Sequence, residues 1–287
     1  MFTKPFRFDR ADRLADACDL LRRHGEGAKV IAGGQSLLPM VNLGLVQPDV
    51  VIDISRAADG RDITRDDGYL TVGALVTHAR LAADELAGRA QPLLGAAARR
   101  IGNARVRNRG TLGGSAAHGD PAAELPLVMV ALGGAYEVTS GSSARTVRAE
   151  EFHLGYLTTG LEPDEVVVSA RVPVLGPQWG WSFQEFSRRD GDFALAAVAA
   201  LVRSVDGVIV ESRVAAGAVG DRPVRLGDVE AALSGADAAG IAGRVGPLRG
   251  VRPAGDAAAG AAYRAHLCRV LVIRAVEQAT RRSAEAA

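Results

Sequence analysis

The chain reads as an α+β protein in three successive regions, and three observations carry that prediction. A β-α-β-α-β-like pattern opens the sequence, a mixed region of helices and strands follows from Tyr69, and successive antiparallel strands fill the last third before one long helix. With 287 residues, 48% of them hydrophobic and 23% charged, the chain has the length and composition to bury such a core.

The opening region begins with "DRADRLADACDLLRRHG", whose apolar residues recur at helical spacing, with Asp9 as the expected N-cap and Gly25 as the stop. "KVIAG" then reads as a strand, "SLLPMVNLGL" as a short helix and "DVVIDIS" as a second strand. In the second region "YLTVGALVTHARL" predicts a strand and a short helix, and "QPLLGAAARRIG" a helix ended by Gly102. A loop-rich stretch leads to a helix over Ala123 to Leu132, a strand at "AYEVTS", and a closing strand at "DEVVVSARVPV". "LGPQWG", a proline between two glycines, is the expected linker. Beyond it "WSFQEFSRR", "FALAAVAALVR" and "GVIVESRVAAGAVG" read as antiparallel strands, followed by a short helix near Leu226 to Leu233. "AGDAAAGAAY" is a loose entry to a terminal helix over Ala257 to Ala284, with Leu267, Val270, Leu271, Arg274 and Val276 on its apolar side. The expected divisions are 1–57, 58–176 and 177–287.

Composition narrows the function. Lys plus Arg (34) nearly balance Asp plus Glu (33), leaving a formal charge of +1, so no global field favours nucleic acid or an anionic membrane. Aromatics, at 5%, are too sparse for base-stacking platforms. Cys18 and Cys268 lie far apart in apolar helical patterns and read as buried core thiols; four-cysteine iron–sulfur ligation cannot come from two. Five histidines without metal-ligand spacing make a metal site unexpected, and the expected metal ligands are none. The N-terminal "MFTKPFRFDRADRL" lacks the apolar run of a signal peptide, and no long apolar span occurs, so a cytoplasmic location is expected.

Two glycine pairs stand out. In "AGGQS", Gly33 and Gly34 follow a strand and lead through Ser36 into a helix, a layout that suits either a tight turn or a phosphate held by bare backbone N–H groups. In "RNRGTLGGSAAHGDPAAELP", Gly113 and Gly114 lie between Thr111 and Ser115, again ahead of a helix. Glu124 downstream suits either sugar-type hydroxyls or the N-terminal charge of a helix. Arg99, Arg100, Arg105, Arg107 and Arg109 read equally as a diphosphate or partner contact and as a solvated face. His118 and Asp120 in "AHGDP" read first as a turn. Neither a P-loop, a G-x-G-x-x-G fingerprint nor a G-x-S-x-G elbow occurs, so no catalytic side chain is assigned.

Taken together, "AGGQSLLPMVNLGLVQPDVVIDIS", "IGNARVRNRGTLGGSAAHGDPAAELP" and "FSRRDGDFALA" resemble, in order and over essentially the whole chain, the FAD-binding medium subunit of the molybdenum hydroxylases, the carbon monoxide dehydrogenase and xanthine dehydrogenase family. The resemblance implies a two-lobed FAD-binding domain of the vanillyl-alcohol-oxidase (PCMH) type, followed by an antiparallel sheet packed by helices. It places the first FAD loop at Ala32, Gly33, Gly34, Gln35, Ser36 and Leu37, and the second at Thr111, Leu112, Gly113, Gly114 and Ser115. It assigns Glu124 to ribityl or ribose hydroxyls, Ile101 and Leu161 to apolar cofactor contacts, and Asp192 and Phe193 to the isoalloxazine. Gln184 stands where xanthine-oxidising relatives carry a lysine near the flavin, which weakens the case for NAD reduction. Gln35 stands where carbon monoxide dehydrogenases usually carry histidine, pointing away from carbon monoxide as substrate.

The implied role is electron transfer within a heterotrimer. A large subunit would carry the molybdenum cofactor and a small subunit two [2Fe–2S] clusters, the whole assembling as a dimer of heterotrimers. FAD on this chain would receive the electrons and give them to quinone, NAD⁺, O₂ or another carrier. Two other readings stand beside it: a freestanding flavoenzyme, with His118, Tyr156 or Asp192 as candidate groups, and a scaffold or maturation protein that has lost its flavin.

Overall fold

The computed structural model describes residues 4–286. Its first sheet is three-stranded and parallel, in the order β1 (Arg7–Arg10), β3 (Val50–Asp53), β2 (Ala28–Ile31). Helix α1 (Leu14–His24) crosses between β1 and β2, and α2 (Leu37–Asn42) between β2 and β3. Strand β1 corrects the expectation for Asp9, which lies in that strand, where it accepts a hydrogen bond from Arg7 and pairs with His24. The α1 terminus is capped instead by Asp16, which accepts from the Arg13 N–H at 2.9 Å, and by Asp59, which accepts from the Leu14 N–H at 3.0 Å. Gly25 ends the helix as expected, at φ 62°. Met1 to Thr3 of the N-terminal stretch, and Ala287, lie outside the described residues.

The second sheet has five antiparallel strands in the order β4 (Ile63–Asp66), β5 (Tyr69–Gly73), β10 (Val166–Pro173), β6 (Ala135–Thr139), β7 (Ala144–Arg148). Between β5 and β6 run α3 (His78–Ala83), α4 (Glu85–Ala90), α5 (Pro92–Arg100), α6 (Ala104–Arg109), α7 (Leu112–His118) and α8 (Glu124–Leu132). The stretch expected as loop-rich therefore holds two short helices, and Gly113 and Gly114 lie inside the first turn of α7 rather than ahead of a helix. A capping side chain starts each: Asn103 accepts from Arg105 and Val106, and Thr111 from Gly114. After β7 come α9 (Ala149–Phe152) and the hairpin β8 (His153–Gly155) with β9 (Thr158–Thr159).

The third sheet runs β11 (Trp179–Phe186), β12 (Ala196–Val205), β13 (Val208–Gly217), β14 (Val224–Arg225), all antiparallel. Trp179 and Gly180 are strand residues, so the linker narrows to the residues before them. Helices α10 (Gly227–Leu233) and α11 (Ile241–Arg244) precede α12 (Ala261–Glu285). The inward face of α12 is Leu267, Cys268, Leu271, Val272, Ala275, Val276 and Ala279; Arg274 is exposed, contrary to the expected side.

Strand alternation explains how the last sheet joins the rest. On β12, Ala197, Ala199 and Leu201 enter the core built by α5, α7 and α8, whereas Ala196, Val198, Ala200 and Val202 enter the core under α12. Small side chains on both faces let helices approach from either side. Gly180 on β11 shows how closely: a Cβ there would lie 1.8 Å from the Ala279 carbonyl oxygen of α12. Cys18 and Cys268 are both buried free thiols, as expected. Among the described residues no helix is long and apolar enough to cross a membrane.

Candidate functional site

The two glycine motifs, far apart in sequence, meet at their backbones. A Cβ on Gly33 would lie 1.9 Å from the Arg109 carbonyl oxygen and 2.9 Å from the Gly110 nitrogen, so only glycine fits that seat. One on Gly114 would stand 4.0 Å from the Ala32 Cβ. Gly34 turns the chain with φ +72°, a left-handed conformation that glycine adopts without strain.

The two loops differ in what they offer. The backbone N–H groups of Gly33, Gly34, Gln35 and Ser36 donate to no acceptor among the described residues. Four consecutive free donors around a left-handed glycine form a concavity suited to an anion. In the second motif the donors are already used: Leu112 N–H goes to the Val76 carbonyl, Gly113 N–H to Ala74, and Gly114 N–H to the Thr111 hydroxyl. Its contribution is therefore shape. Gly114 is exposed, and a Cβ there would meet little beyond the Thr111 hydroxyl at 2.9 Å. The sequence treats the two pairs alike; only the hydrogen-bond pattern separates donor loop from wall.

Glu124 opens α8, the helix that follows α7. Its carboxyl makes no hydrogen bond to another residue among those described, and burial pushes it up to about 8. The charges of Glu185 and Asp120 add to that rise, and Arg100 opposes it. A sheltered carboxyl with unspent acceptor capacity suits a polyhydroxyl chain. Burial likewise lowers the His118 imidazole, against the opposing charge of Asp120.

A second meeting point lies beside it. A Cβ on Gly191 would sit 2.9 Å from the Gly102 carbonyl oxygen, and Arg100 approaches Asp190 at 3.9 Å. The loop carrying Asp192 and Phe193 thus packs on the turn that holds Ile101. Phe193 is 76% exposed and Ile101 is buried. Leu161, after β9, packs on the main core, and Gly119 at the end of α7 touches the β8–β9 hairpin through Leu157 and Thr158.

Gln184 is the expected site residue that the structure does not bring to these loops. Its amide donates to Ser182 and to Gln278 of α12, on the opposite face of β11 from Trp181 and Phe183. The residue that alternation turns toward the site is Glu185, whose Oε2 is buried without a partner. Burial raises its carboxyl, with Arg100 lowering it and Asp190 adding to the rise. The signal was present in "WSFQEF": Trp181, Phe183 and Glu185 share one face, Ser182 and Gln184 the other.

These features fit FAD: bare backbone donors for a pyrophosphate, a half-buried carboxyl for hydroxyls, and an exposed aromatic for a ring. Comparison with known proteins agrees. Residues 4–175 match the family profile described as "FAD binding domain in molybdopterin dehydrogenase", and residues 181–279 the "CO dehydrogenase flavoprotein C-terminal domain". The chain is 39% identical over 231 residues to the nicotine 6-hydroxylase medium subunit of Paenarthrobacter nicotinovorans, covering 80% of this chain and 81% of that protein. It is 32% identical over 287 residues to the carbon monoxide dehydrogenase medium chain of Afipia carboxidovorans, covering 99% of each. It superimposes on the solved carbon monoxide dehydrogenase of Hydrogenophaga pseudoflava with a TM-score of 0.93 and 33% identity, over 98% of this chain and 99% of that one.

Proposed function

The chain belongs to the molybdenum hydroxylase family as its FAD-binding medium subunit, and from that premise we propose that it is the electron-transfer arm of a heterotrimeric molybdenum-containing oxidoreductase. Its partners are a small subunit with two [2Fe–2S] clusters and a large subunit with the molybdenum cofactor, assembled as a dimer of heterotrimers in the cytoplasm. Electrons reach this chain from the clusters and leave to an external acceptor. When bound, the isoalloxazine supplies the redox chemistry.

The chain's own residues bind, orient and shield. Ala32, Gly33, Gly34, Gln35, Ser36 and Leu37 hold the pyrophosphate, chiefly through the free N–H groups of Gly33 to Ser36. Thr111, Leu112, Gly113, Gly114 and Ser115 form the facing wall, where a bare Cα at Gly114 lets the cofactor lie close. Glu124 accepts hydroxyl hydrogen bonds, Ile101 and Leu161 exclude water, and Asp192 and Phe193 border the ring. Gln184 engages Gln278 of α12, and its neighbour Glu185, whose carboxyl burial shifts toward the neutral form, faces the site. The same reading divides the chain at 57/58 and 176/177, which leaves each of the three main sheets within one unit.

The observation that carries the reading is the seat of Gly33 against Arg109, which joins an unpaired row of donors to the second motif. Purification tests it. The expected product is yellow, shows the absorption bands of oxidised flavin, and releases FAD rather than FMN on denaturation. A colourless chain that refuses added FAD would sink the proposal.

A further inference from the structure

Five exposed arginines are carried by the segments that meet where the loop assigned to the ring packs on the turn that holds Ile101. Packing of Gly191 on Gly102 brings the turn and helix that carry Arg100, Arg105 and Arg109 beside the loop that carries Arg188 and Arg189. Arg105, Arg109, Arg188 and Arg189 are exposed, and their side chains make no ion pair or hydrogen bond among the described residues. Arg100 reaches only Asp190, at 3.9 Å. Elsewhere many arginines are held by carboxylates, as in Arg145–Glu165 at 2.6 Å, Arg225–Glu230 at 2.7 Å and Arg264–Asp256 at 2.6 Å. On this rim five positive charges face two exposed negative ones, Asp190 and Asp192, although the whole chain carries only +1. The carboxyls beneath, Glu124 and Glu185, are both shifted toward their neutral forms by burial and cancel less of that excess.

Permanent subunit contacts are large, apolar and poor in charge, whereas electron-transfer encounters are small and guided by complementary fields. The rim has the second character. Its main exposed apolar group is Phe193, while the exposed leucines Leu38, Leu43 and Leu45 lie on α2 and the turn after it. We infer that this arginine rim docks the external electron acceptor, and that the acceptor is an acidic one-electron carrier protein rather than a neutral small molecule. The inference rests on the flavin reading above. Each carrier takes one electron, so two encounters balance the two electrons of one turnover.

The test uses the full chain with FAD, a plant-type [2Fe–2S] ferredoxin as the acidic probe, and a basic cytochrome c as control, with Kd measured by calorimetry. Ferredoxin affinity is expected to fall about ten-fold or more between about 20 and about 200 mM salt, and by about ten-fold at low salt in the R105Q/R188Q/R189Q variant. Cytochrome c is expected not to bind. Arg105→Glu, on the exposed face of α6 and outside the 187–194 loop, serves as a second variant and should weaken ferredoxin binding in the same direction. Flavin absorbance, read on every sample, separates the two claims. A colourless wild type removes the flavin reading and the rim's role with it. A yellow wild type that ignores ferredoxin, or binds it without dependence on salt or on either variant, overturns the rim alone.

Discussion

Gly33 and Gly114 look interchangeable as letters and differ completely as sites. Gly33→Ala puts a methyl group onto the Arg109 carbonyl, and the expected result is a loss of about 3 kcal/mol or more in chemical denaturation, or no folded protein. Gly114→Val meets little of the fold, so its stability should stay within about 1.5 kcal/mol of wild type while FAD retention, read by absorbance, is lost. Glu124 makes the third residue-scale prediction. Its folded carboxyl titrates near 8 against an ordinary 4.5, so between those values the folded state holds a proton that the unfolded state has released. Stability of the flavin-free chain therefore falls as pH rises from about 4.5 to about 8, by up to a few kcal/mol. Urea melts at the two ends of that window should show this slope, and Glu124→Gln should flatten it. The seat of Gly33 was readable at this scale, because a glycine that no other residue can replace leaves a mark in sequence. The placement of Gln184 against Gln278 of α12 has a physical cause: neighbours on a strand point to opposite faces, so one position separates the α12 interface from the face that carries Glu185.

Elements were legible in proportion to their length and periodicity. The closing helix α12, with 25 residues, and the long strands β12 and β13 repeat their pattern often enough to be recognised. Strand β1 was implied by the opening pattern but could not be placed, since "RFDR" is four largely exposed residues that become a strand only by pairing with β3. Helices α6 and α7 were hidden by glycine, asparagine and serine, whose helical state here depends on the Asn103 and Thr111 caps and on tertiary contacts such as Gly113 against Ala74. The junction of β11 with α12 gives an element-scale prediction. Gly180→Ala would drive a Cβ to 1.8 Å from the Ala279 carbonyl and 2.4 Å from the Ser283 nitrogen, prying the helix from the sheet. The expected cost is about 2–3 kcal/mol in denaturant, with FAD still bound in the fraction that folds.

At the scale of the whole molecule, the profile-matched segments 4–175 and 181–279 do not each own a core. One buried cluster takes Leu93, Leu127 and Met129 from the first and Ala197, Leu201 and Ala215 from the second, and Arg213 donates to the Leu132 carbonyl across the boundary at 3.1 Å. Residues 4–176 expressed alone would expose that face, and the expected outcome is a species that binds hydrophobic dyes and lacks a cooperative melt, whereas the full chain unfolds in a single transition. This arrangement could not be read from the sequence, because a strand buried on both faces shows no alternation to say what lies on either side. Strand β12 is that strand, and its alanines bear on how the protein can diverge. A larger side chain would press on the core built by α5, α7 and α8 at one position and on α12 at the next, so neither neighbour can yield without disturbing the other. Lineages of this chain would then be free to vary their rims and loops while β12 stays a run of small residues, and libraries saturating Ala196 to Ala200 should return alanine, glycine, serine and cysteine, with valine kept only at Val198.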